Sequence, residues 1–487
     1  MTYDLVITGA RVVDPARGID RVTSVAVADG KIAAVGDAAE GAGAKRVIRA
    51  DGKFLSPGWF DIHVHTYNPL AFSNPDTIGV LQGVPTVVDA GGGGVWTYED
   101  CRRYWEGYCK TEIYAFLIWN PAGIYLGRTG YAVDNDPANE REIPAAEGKD
   151  VVDRNRDRIC AIKSQVVTRF GWSPVRAVQA VAGAVDLPIY LHLGDIGIGR
   201  RTTVITREVL DSLRPGDGIT HAYTGNWGKL LDDNGVVYPE VKAAQQRGVF
   251  LDVGYGNLNF TFDVFDRLMA QDVVTDVISS DLQAVNITGP THSLANVMSI
   301  FLNNGLGLSE VIERVTIRPA RVLGLAHRIG SLTPGHPARI TLFDLQDGEW
   351  TFRDSRGARR KGRTMIVPTL CVMDGEVIES DFGAGLGEEN WSFMPSLDER
   401  PPASGNLDEE QREFVRALAV SLEDADWNDC RALHARFRRH VADSGINERK
   451  AANAIYDLFL RSRFCVPIGW LLNGFDRELT LTRMKGP

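Results

Sequence analysis

The sequence predicts an α/β fold with three parts: a TIM-type (β/α)8 barrel, a small β-sandwich built from both flanks, and a C-terminal helical extension. Eight short apolar segments alternate with stretches of helical spacing, as in a parallel sheet covered by helices. Short alternating strands precede and follow this region, and amphipathic helices come last. A length of 487 residues agrees with two or three domains.

The two flanks of the chain share the same pattern of short predicted β-strands. Short alternating runs are interrupted by Asp29-Gly30 near the start and by Asp374-Gly375 in the later flank. An Asp-Gly pair between two such runs indicates a β-hairpin. We therefore expect residues 1–55 and 328–382 to form one split β-sandwich domain around a barrel that spans residues 56–327.

The barrel strands are predicted from short apolar runs. They are residues 59–64, 86–90, 114–119, 159–163, 188–193, 218–222, 249–254 and 276–281. Several connections have helical spacing, namely residues 174–185, 238–246 and 262–270. In a barrel of eight such units, the active site lies at the C-terminal ends of the strands.

The composition changes after Phe382, where residues 383–387 have the glycine-rich composition of a linker. Residues 388–487 then predict three amphipathic helices. Their apolar faces contain Leu407, Phe414, Val415, Leu418 and Leu422, then Cys430, Leu433, Phe437 and Val441, then Ile455, Leu458 and Phe459. Asn447 is the predicted N-cap of the third helix.

Charge and composition exclude several classes of partner. A net charge of −10 and a pI of about 5.5 disfavour nucleic acid and anionic membrane surfaces. The 6 cysteines include no Cys-x-x-Cys pair, which indicates reduced thiols. We see no signal peptide and no apolar run of membrane-spanning length. We therefore expect a cytoplasmic homo-oligomer that acts on a small-molecule substrate, with no nucleic acid and no membrane as partner.

Metal-binding residue types stand at the ends of the predicted strands. His63 and His65 end the first strand, and residues two apart in a strand point to the same face. Two neutral imidazoles aimed into one space suit a divalent metal. Further candidates follow at strand ends: Lys163, His192, His221 and Asp281. Each has an ordinary structural explanation alone, such as a core histidine or a helix N-cap, but the ordered set predicts a metal site.

These residues carry a resemblance to the amidohydrolase superfamily of metal-dependent hydrolases. The motifs are Pro57-Gly58-Trp59-Phe60-Asp61-Ile62-His63-Val64-His65, Ala161-Ile162-Lys163, Tyr190-Leu191-His192, Ile219-Thr220-His221 and Ile278-Ser279-Ser280-Asp281. Within the superfamily, the chain most resembles the amidohydrolase/deacetylase group, close to dihydroorotases. The resemblance covers residues 1–382 and leaves the helical extension unexplained.

The resemblance implies two divalent metal ions, with zinc favoured by the His-rich set. His63, His65 and Asp281 would hold one ion, His192 and His221 the other, and a carboxylated Lys163 would bridge them. It also implies that a metal-activated hydroxide attacks an amide, cyclic amide or ester carbonyl, with Asp281 as the general base. A deaminase acting on a ring amidine carbon is the alternative. A catalytically inactive scaffold is disfavoured because all six ligand candidates are present.

The expected substrate contacts depart from the pattern of that group. They are Tyr67, Asn68, Gln165, Tyr255 and Asn286. In the deacetylase-like group an arginine usually stands where Gln165 does, and a histidine where Tyr255 does. Thr66 replaces the arginine with which dihydroorotases grip a carboxylate. The loss of these groups favours a less anionic amide or ester as the substrate.

Overall fold

The computed structural model describes residues 2–40, 43–66, 74–119, 123–124, 145–166, 172–194, 206–283, 286–287, 289–380, 407–427, 430–459, 468, 472 and 477–486. The chain divides into two compact units, Met1–Ala384 and Gly385–Pro487. The predicted linker at 383–387 lies outside the described residues. The domain boundaries within the first unit stay a prediction.

The first unit alternates strands and helices. In chain order its strands are β1 (Tyr3–Asp14), β2 (Ile19–Ala28), β3 (Lys31–Val35), β4 (Ala44–Arg49), β5 (Phe54–Pro57), β6 (Phe60–Val64), β7 (Thr86–Ala90), β8 (Glu112–Ile118), β9 (Ile159–Val166), β10 (Ile189–Leu193), β11 (Gly218–Thr220), β12 (Phe250–Leu251), β13 (Arg339–Arg353), β14 (Arg359–Met373) and β15 (Glu376–Glu379). Its α-helices are Pro75–Ile78, Tyr98–Tyr108, Ala145–Arg154, Ser173–Val185, Thr206–Ser212, Pro239–Gln246, Phe262–Met269, Leu294–Asn303, Leu308–Arg314 and Ile317–Val322. The three helices predicted between barrel strands are confirmed, each to within one residue at either end.

The two flanks form one eight-stranded sheet in the order β15-β14-β13-β5-β1-β2-β3, with β4 paired to β1. The short strand β5 joins the flanks, because it pairs parallel with β1 on one side and antiparallel with β13 on the other. Apolar side chains of both flanks share one core, which includes Leu5, Val12, Val25, Leu342 and Val372. The flanks therefore pair with each other, as the sequence predicts.

A seven-stranded sheet in the order β12-β11-β10-β9-β8-β7-β6 occupies the middle of the unit. Its neighbouring strands are all parallel. These are the first seven predicted barrel strands, and the largest difference is at β12, which is only two residues long. Large side chains such as Phe60, Phe116 and Tyr190 belong to one buried apolar cluster that includes residues of six of these strands.

The eighth predicted strand, residues 276–281, is not a regular strand, but it hydrogen-bonds to both edges of the sheet. Val277 forms a parallel bridge with Asp252, and Leu282 forms one with Val64. The Asp281 N–H also donates to the His63 carbonyl at 2.7 Å. Asp281 has a φ of 51°, which ends any extended conformation there. The described residues therefore show a mixed α/β unit with seven regular parallel strands.

The second unit contains the α-helices Glu409–Ser421, Cys430–Ser444, Glu448–Phe459 and Arg477–Lys485. The first three confirm the prediction, and the fourth was not predicted. Phe414, Leu418, Phe437 and Ile455 on the predicted apolar faces are buried. Asn447 caps the third helix, because its Oδ1 accepts from the Lys450 N–H at 3.2 Å. In the described parts of both units, no helix combines the length and apolarity that a membrane span needs.

Candidate metal centre

The structure brings the six predicted ligands together near the C-terminal ends of the parallel strands, with Lys163 inside β9 and Asp281 in the irregular segment 276–281. They are His63, His65, Lys163, His192, His221 and Asp281. His192 is partly buried, and the other five are buried. Parallel strands in adjacent register place their last residues along one edge, and for this reason residues far apart in the chain can meet here.

His63, His65 and Asp281 form a compact group whose ligand atoms lie within 4.8 Å of one another. The Asp281 Oδ1 atom is 3.1 Å from His65 Nε2 and 3.5 Å from His63 Nε2. Burial alone would raise the pKa of the Asp281 carboxyl, but its electrostatic contacts with His63 and His65 lower it to about 2. Asp281 is therefore an anion at neutral pH.

Lys163 lies directly beside this group. Its Nζ is 3.1 Å from His63 Nε2 and donates to the Ala90 carbonyl at 2.7 Å. The side chain is 1% exposed, and this burial lowers its pKa to about 8. Lys163 is therefore mostly an ammonium at pH 7, but its neutral fraction, about a tenth, is far larger than that of an exposed lysine.

His192 and His221 face each other across 2.8 Å, from Nδ1 of the first to Nε2 of the second. Their other ring nitrogens contact backbone carbonyls: His221 Nδ1 lies 2.6 Å from Gly254 O, and His192 Nε2 lies 3.1 Å from Gly194 O. A carbonyl can only accept, so each of these nitrogens carries the proton of its neutral ring. The two facing nitrogens are then both unprotonated, and each presents a lone pair to the other.

Two facing lone pairs at this distance repel unless a cation lies between them. Burial lowers the pKa of His192 to about 4 and that of His221 well below its usual range. Both rings are therefore neutral at pH 7, and neither supplies a proton for the contact. The donor set fits a divalent metal ion.

A polar group that the sequence analysis missed lies beneath His63. The Nδ1 atom of His63 lies 3.0 Å from both Tyr190 Oη and Thr220 Oγ1. Both hydroxyls also contact the buried carboxylate of Asp252, as does the hydroxyl of Ser279. A signal was present in the sequence, because Tyr190 stands two residues before His192 on the same strand face. Asp252 follows β12 directly.

Asp61 is a second residue that the sequence analysis missed. Its carboxylate accepts hydrogen bonds from the backbone N–H groups of His63 and Ser280 and from the Ser280 hydroxyl. Burial raises its pKa to about 7, although these hydrogen bonds oppose the shift. Asp61 thus connects the end of β6 to the segment that carries Asp281.

The predicted substrate contacts have different positions. Tyr67 and Asn68 lie outside the described residues. The backbone of Gln165 pairs with His192 in the sheet. Asn286 is buried, and its Nδ2 donates to the backbone carbonyl of Asp281 at 2.7 Å, which makes it a support for that residue.

Tyr255 is buried in an aromatic cluster. Its ring stacks on Phe260 at 4.4 Å between centroids, and its hydroxyl donates to the Arg353 carbonyl. Both the ring and the hydroxyl therefore already have protein partners. Its role as a substrate contact stays a prediction.

Comparisons with known proteins agree on one family. The sequence model described as Amidohydrolase family matches residues 261–375. A deacetylase of Agrobacterium fabrum is 30% identical over 359 residues, which are 72% of this chain and 85% of that protein. A solved structure of an adenine deaminase has a TM-score of 0.70 and 27% identity, and the match covers 78% of this chain and 100% of that one. A dihydroorotase structure has a TM-score of 0.67 and 28% identity, covering 77% and 97%.

Proposed function

The chain belongs to the amidohydrolase family, and from this premise we propose that it is a binuclear metal-dependent hydrolase of amides, cyclic amides or esters. The relatives named deacetylase, dihydroorotase and adenine deaminase support hydrolysis of a C–N bond. The observation that carries the metal proposal is the pair of neutral imidazoles, His192 and His221, whose lone pairs face each other at 2.8 Å. Only a cation makes that contact favourable.

The residues divide into two sets of ligands. We propose that His63, His65 and Asp281 hold one ion and that His192 and His221 hold the second, with zinc favoured by the imidazole donors. Bound divalent ions would supply an activated water near neutral pH and polarise the substrate carbonyl. The protein contributes imidazole and carboxylate donors that are all buried or partly buried.

We propose that Lys163 is carboxylated and lies between the two sets. Its amine is neutral to a useful extent because burial lowers its pKa to about 8. The neutral nitrogen adds to carbon dioxide and loses one proton, which leaves an anionic carbamate. This change removes an ammonium from a site built for cations and replaces it with oxygen donors.

Asp281 is the proposed general base. With a pKa of about 2 it is ionised at neutral pH and can accept the proton of the attacking water. Its Oδ2 is 3.5 Å from Asn259 Nδ2, and Asn286 holds its backbone carbonyl. These contacts hold the Asp281 side chain and backbone in place, and we propose that the carboxylate then passes the proton to the leaving group.

We also propose that the parallel sheet closes into an eight-stranded barrel through residues 276–282. The bridges of Val277 to Asp252 and of Leu282 to Val64 support closure. The carboxylate of Asp61 adds hydrogen bonds from β6 to Ser280 at the same seam. Closure matters for function because it would hold Asp281 beside His63 and His65.

The test combines metal analysis with a substrate panel. We expect the purified protein to hold close to two divalent ions and to hydrolyse at least one member of a panel of N-acyl, lactam, imide and ester compounds. His192→Ala should lower the metal content and abolish turnover. The matched control is His327→Ala, at an exposed histidine, which should change neither. A fully active preparation without metal would refute the proposal.

A deaminase is the second candidate function, because the match to the adenine deaminase structure covers 100% of that structure's chain. Ammonia release from aminopurines and other ring amidines separates it from amide hydrolysis. If ammonia is released and none of the amides, imides or esters is cleaved, the reaction is deamination at the same metal centre.

A further inference from the structure

The buried carboxylate of Asp252 collects hydroxyl groups beneath the metal centre. Its Oδ2 atom is 2.5 Å from Tyr190 Oη, 2.8 Å from Thr220 Oγ1 and 2.7 Å from Ser279 Oγ. Asp252 and Tyr190 are both 0% exposed. An ionised carboxylate has only acceptor sites, so each of these hydroxyls donates its single proton to Asp252. The short distance from Tyr190 is typical of a hydroxyl that donates to an anion.

Because the hydroxyl protons of Tyr190 and Thr220 point to Asp252, these two hydroxyls can only accept a hydrogen bond from His63. Tyr190 Oη and Thr220 Oγ1 each lie 3.0 Å from His63 Nδ1 and have only lone pairs to offer. Nδ1 must therefore carry the ring proton. In a neutral imidazole Nε2 is then unprotonated, and this is the atom that faces Lys163 and Asp281.

We propose that Asp252 is a positioning residue that sets the tautomer of His63 through the hydroxyls of Tyr190 and Thr220. The carboxylate does not do this directly, because its Oδ2 lies 3.9 Å from His63 Nδ1. The metal consequence of the proposal rests on the proposed function, since it requires His63 to be a ligand. The tautomer itself does not require a metal.

The arrangement differs from that of His221, whose tautomer is set by the backbone carbonyl of Gly254. A carbonyl remains whatever side chains are replaced, whereas the partners of His63 can be removed one at a time. Outer-shell partners of this kind typically contribute 10–100-fold to metal affinity. His63 is therefore the histidine whose orientation can be tested by substitution.

The first measurement uses full-length protein with ¹⁵N-labelled histidine, stripped of metal, because nitrogen chemical shifts report which ring nitrogen is protonated. Of the 9 histidines, His63 is assigned by its loss in His63→Gln. We expect the Nδ1–H form in the wild type. The double variant Tyr190→Phe/Thr220→Val removes both acceptors, and in it we expect a mixture of tautomers.

The second measurement is zinc retention against a graded chelator. The double variant should bind zinc about 10–100-fold more weakly than the wild type. Ser279→Ala is the matched control, because it removes one donor to Asp252 but leaves both acceptors of His63 in place. It should keep the Nδ1–H form and the wild-type affinity. Thr220→Ser retains the hydroxyl and should behave in the same way.

Tyr190→Phe alone keeps the ring that packs on Phe116 and serves if the double variant does not fold. It should weaken zinc binding, although less than the double variant. If His63 in the folded Tyr190→Phe and double variants keeps the Nδ1–H form and binds zinc like the Ser279→Ala control, the inference is wrong. If instead the tautomer changes as expected but wild-type protein binds no zinc, the inference on Asp252 stands and the proposed function fails.

Discussion

Gly256 is a position where a single added carbon should damage the proposed reaction through Asp281. A Cβ atom built there would lie 2.3 Å from Asp281 Oδ2 and 3.2 Å from Asn259 Nδ2. Ordinary contact begins at 3.4 Å, so Gly256→Ala displaces the Asp281 carboxylate by about 1 Å. The carboxylate has little freedom to move, because it is buried against His63 and His65.

Two effects of known size follow. Gly256 has a φ of 56°, and a left-handed conformation costs alanine about 1–2 kcal/mol relative to glycine. A displacement of about 1 Å in a catalytic group typically costs about 10²-fold in rate. We therefore expect a melting temperature lowered by a few degrees and turnover reduced by about two orders of magnitude. The loss of turnover should exceed the loss of folded protein.

The matched control is Gly183→Ala. Gly183 is an exposed residue in the helix Ser173–Val185, and no atom lies within 4 Å of its built Cβ. Alanine is favoured over glycine there by about 0.5–1 kcal/mol, so the control should be slightly more stable and fully active. Turnover on a substrate that the wild type hydrolyses, measured beside a thermal melt, completes the assay. A folded Gly256→Ala variant within about three-fold of wild-type turnover would refute the reasoning.

Three further predictions concern the proposed ligands. Asp281→Asn should keep most of the metal, because the amide oxygen can still coordinate. Turnover should fall by about 10²–10⁴-fold, since the amide cannot accept a proton. Near-normal turnover with both metals present would show that Asp281 is not the base. Lys163→Ala should lower metal content and turnover. Added short carboxylic acids should restore part of both, because they can occupy the space of the missing carbamate. Unchanged metal content would contradict a bridging role. At a fixed concentration of dissolved carbon dioxide, the rate at which metal and carbon dioxide reactivate the stripped enzyme should rise with pH and level off above about 8, because the amine of Lys163 reacts only when neutral. A rate that keeps rising toward pH 10 under these conditions would show an unperturbed lysine.

The sequence by itself determined the order of the strands and the residues at their ends. Alternation of buried strands with helices is a local pattern, and for this reason seven of the eight predicted parallel strands and three of the connecting helices were found close to their predicted positions. The two-residue spacing of His63 and His65 is likewise local, because side chains alternate along a strand. The family motifs extended this to Lys163, His192, His221 and Asp281.

Only the tertiary structure decided what surrounds those residues. The contact of Asp252 with Tyr190, Thr220 and Ser279 joins four separate segments, and its distances depend on how neighbouring strands are staggered. No local pattern reports that stagger. The clamp of Asp61 on Ser280 has the same cause, since it joins β6 to a segment 219 residues away.

Tyr255 is another residue whose surroundings only the tertiary structure decided. Its position after the seventh strand predicted a substrate contact, and that role stays a prediction. Gly254 and Gly256 on either side have φ values of 45° and 56°. These left-handed turns accompany a ring that stacks on Phe260 and a hydroxyl that donates to the Arg353 carbonyl. A sequence states which residues can carry the chemistry, whereas backbone turns and strand stagger, which arise from packing across the whole fold, decide which atoms meet.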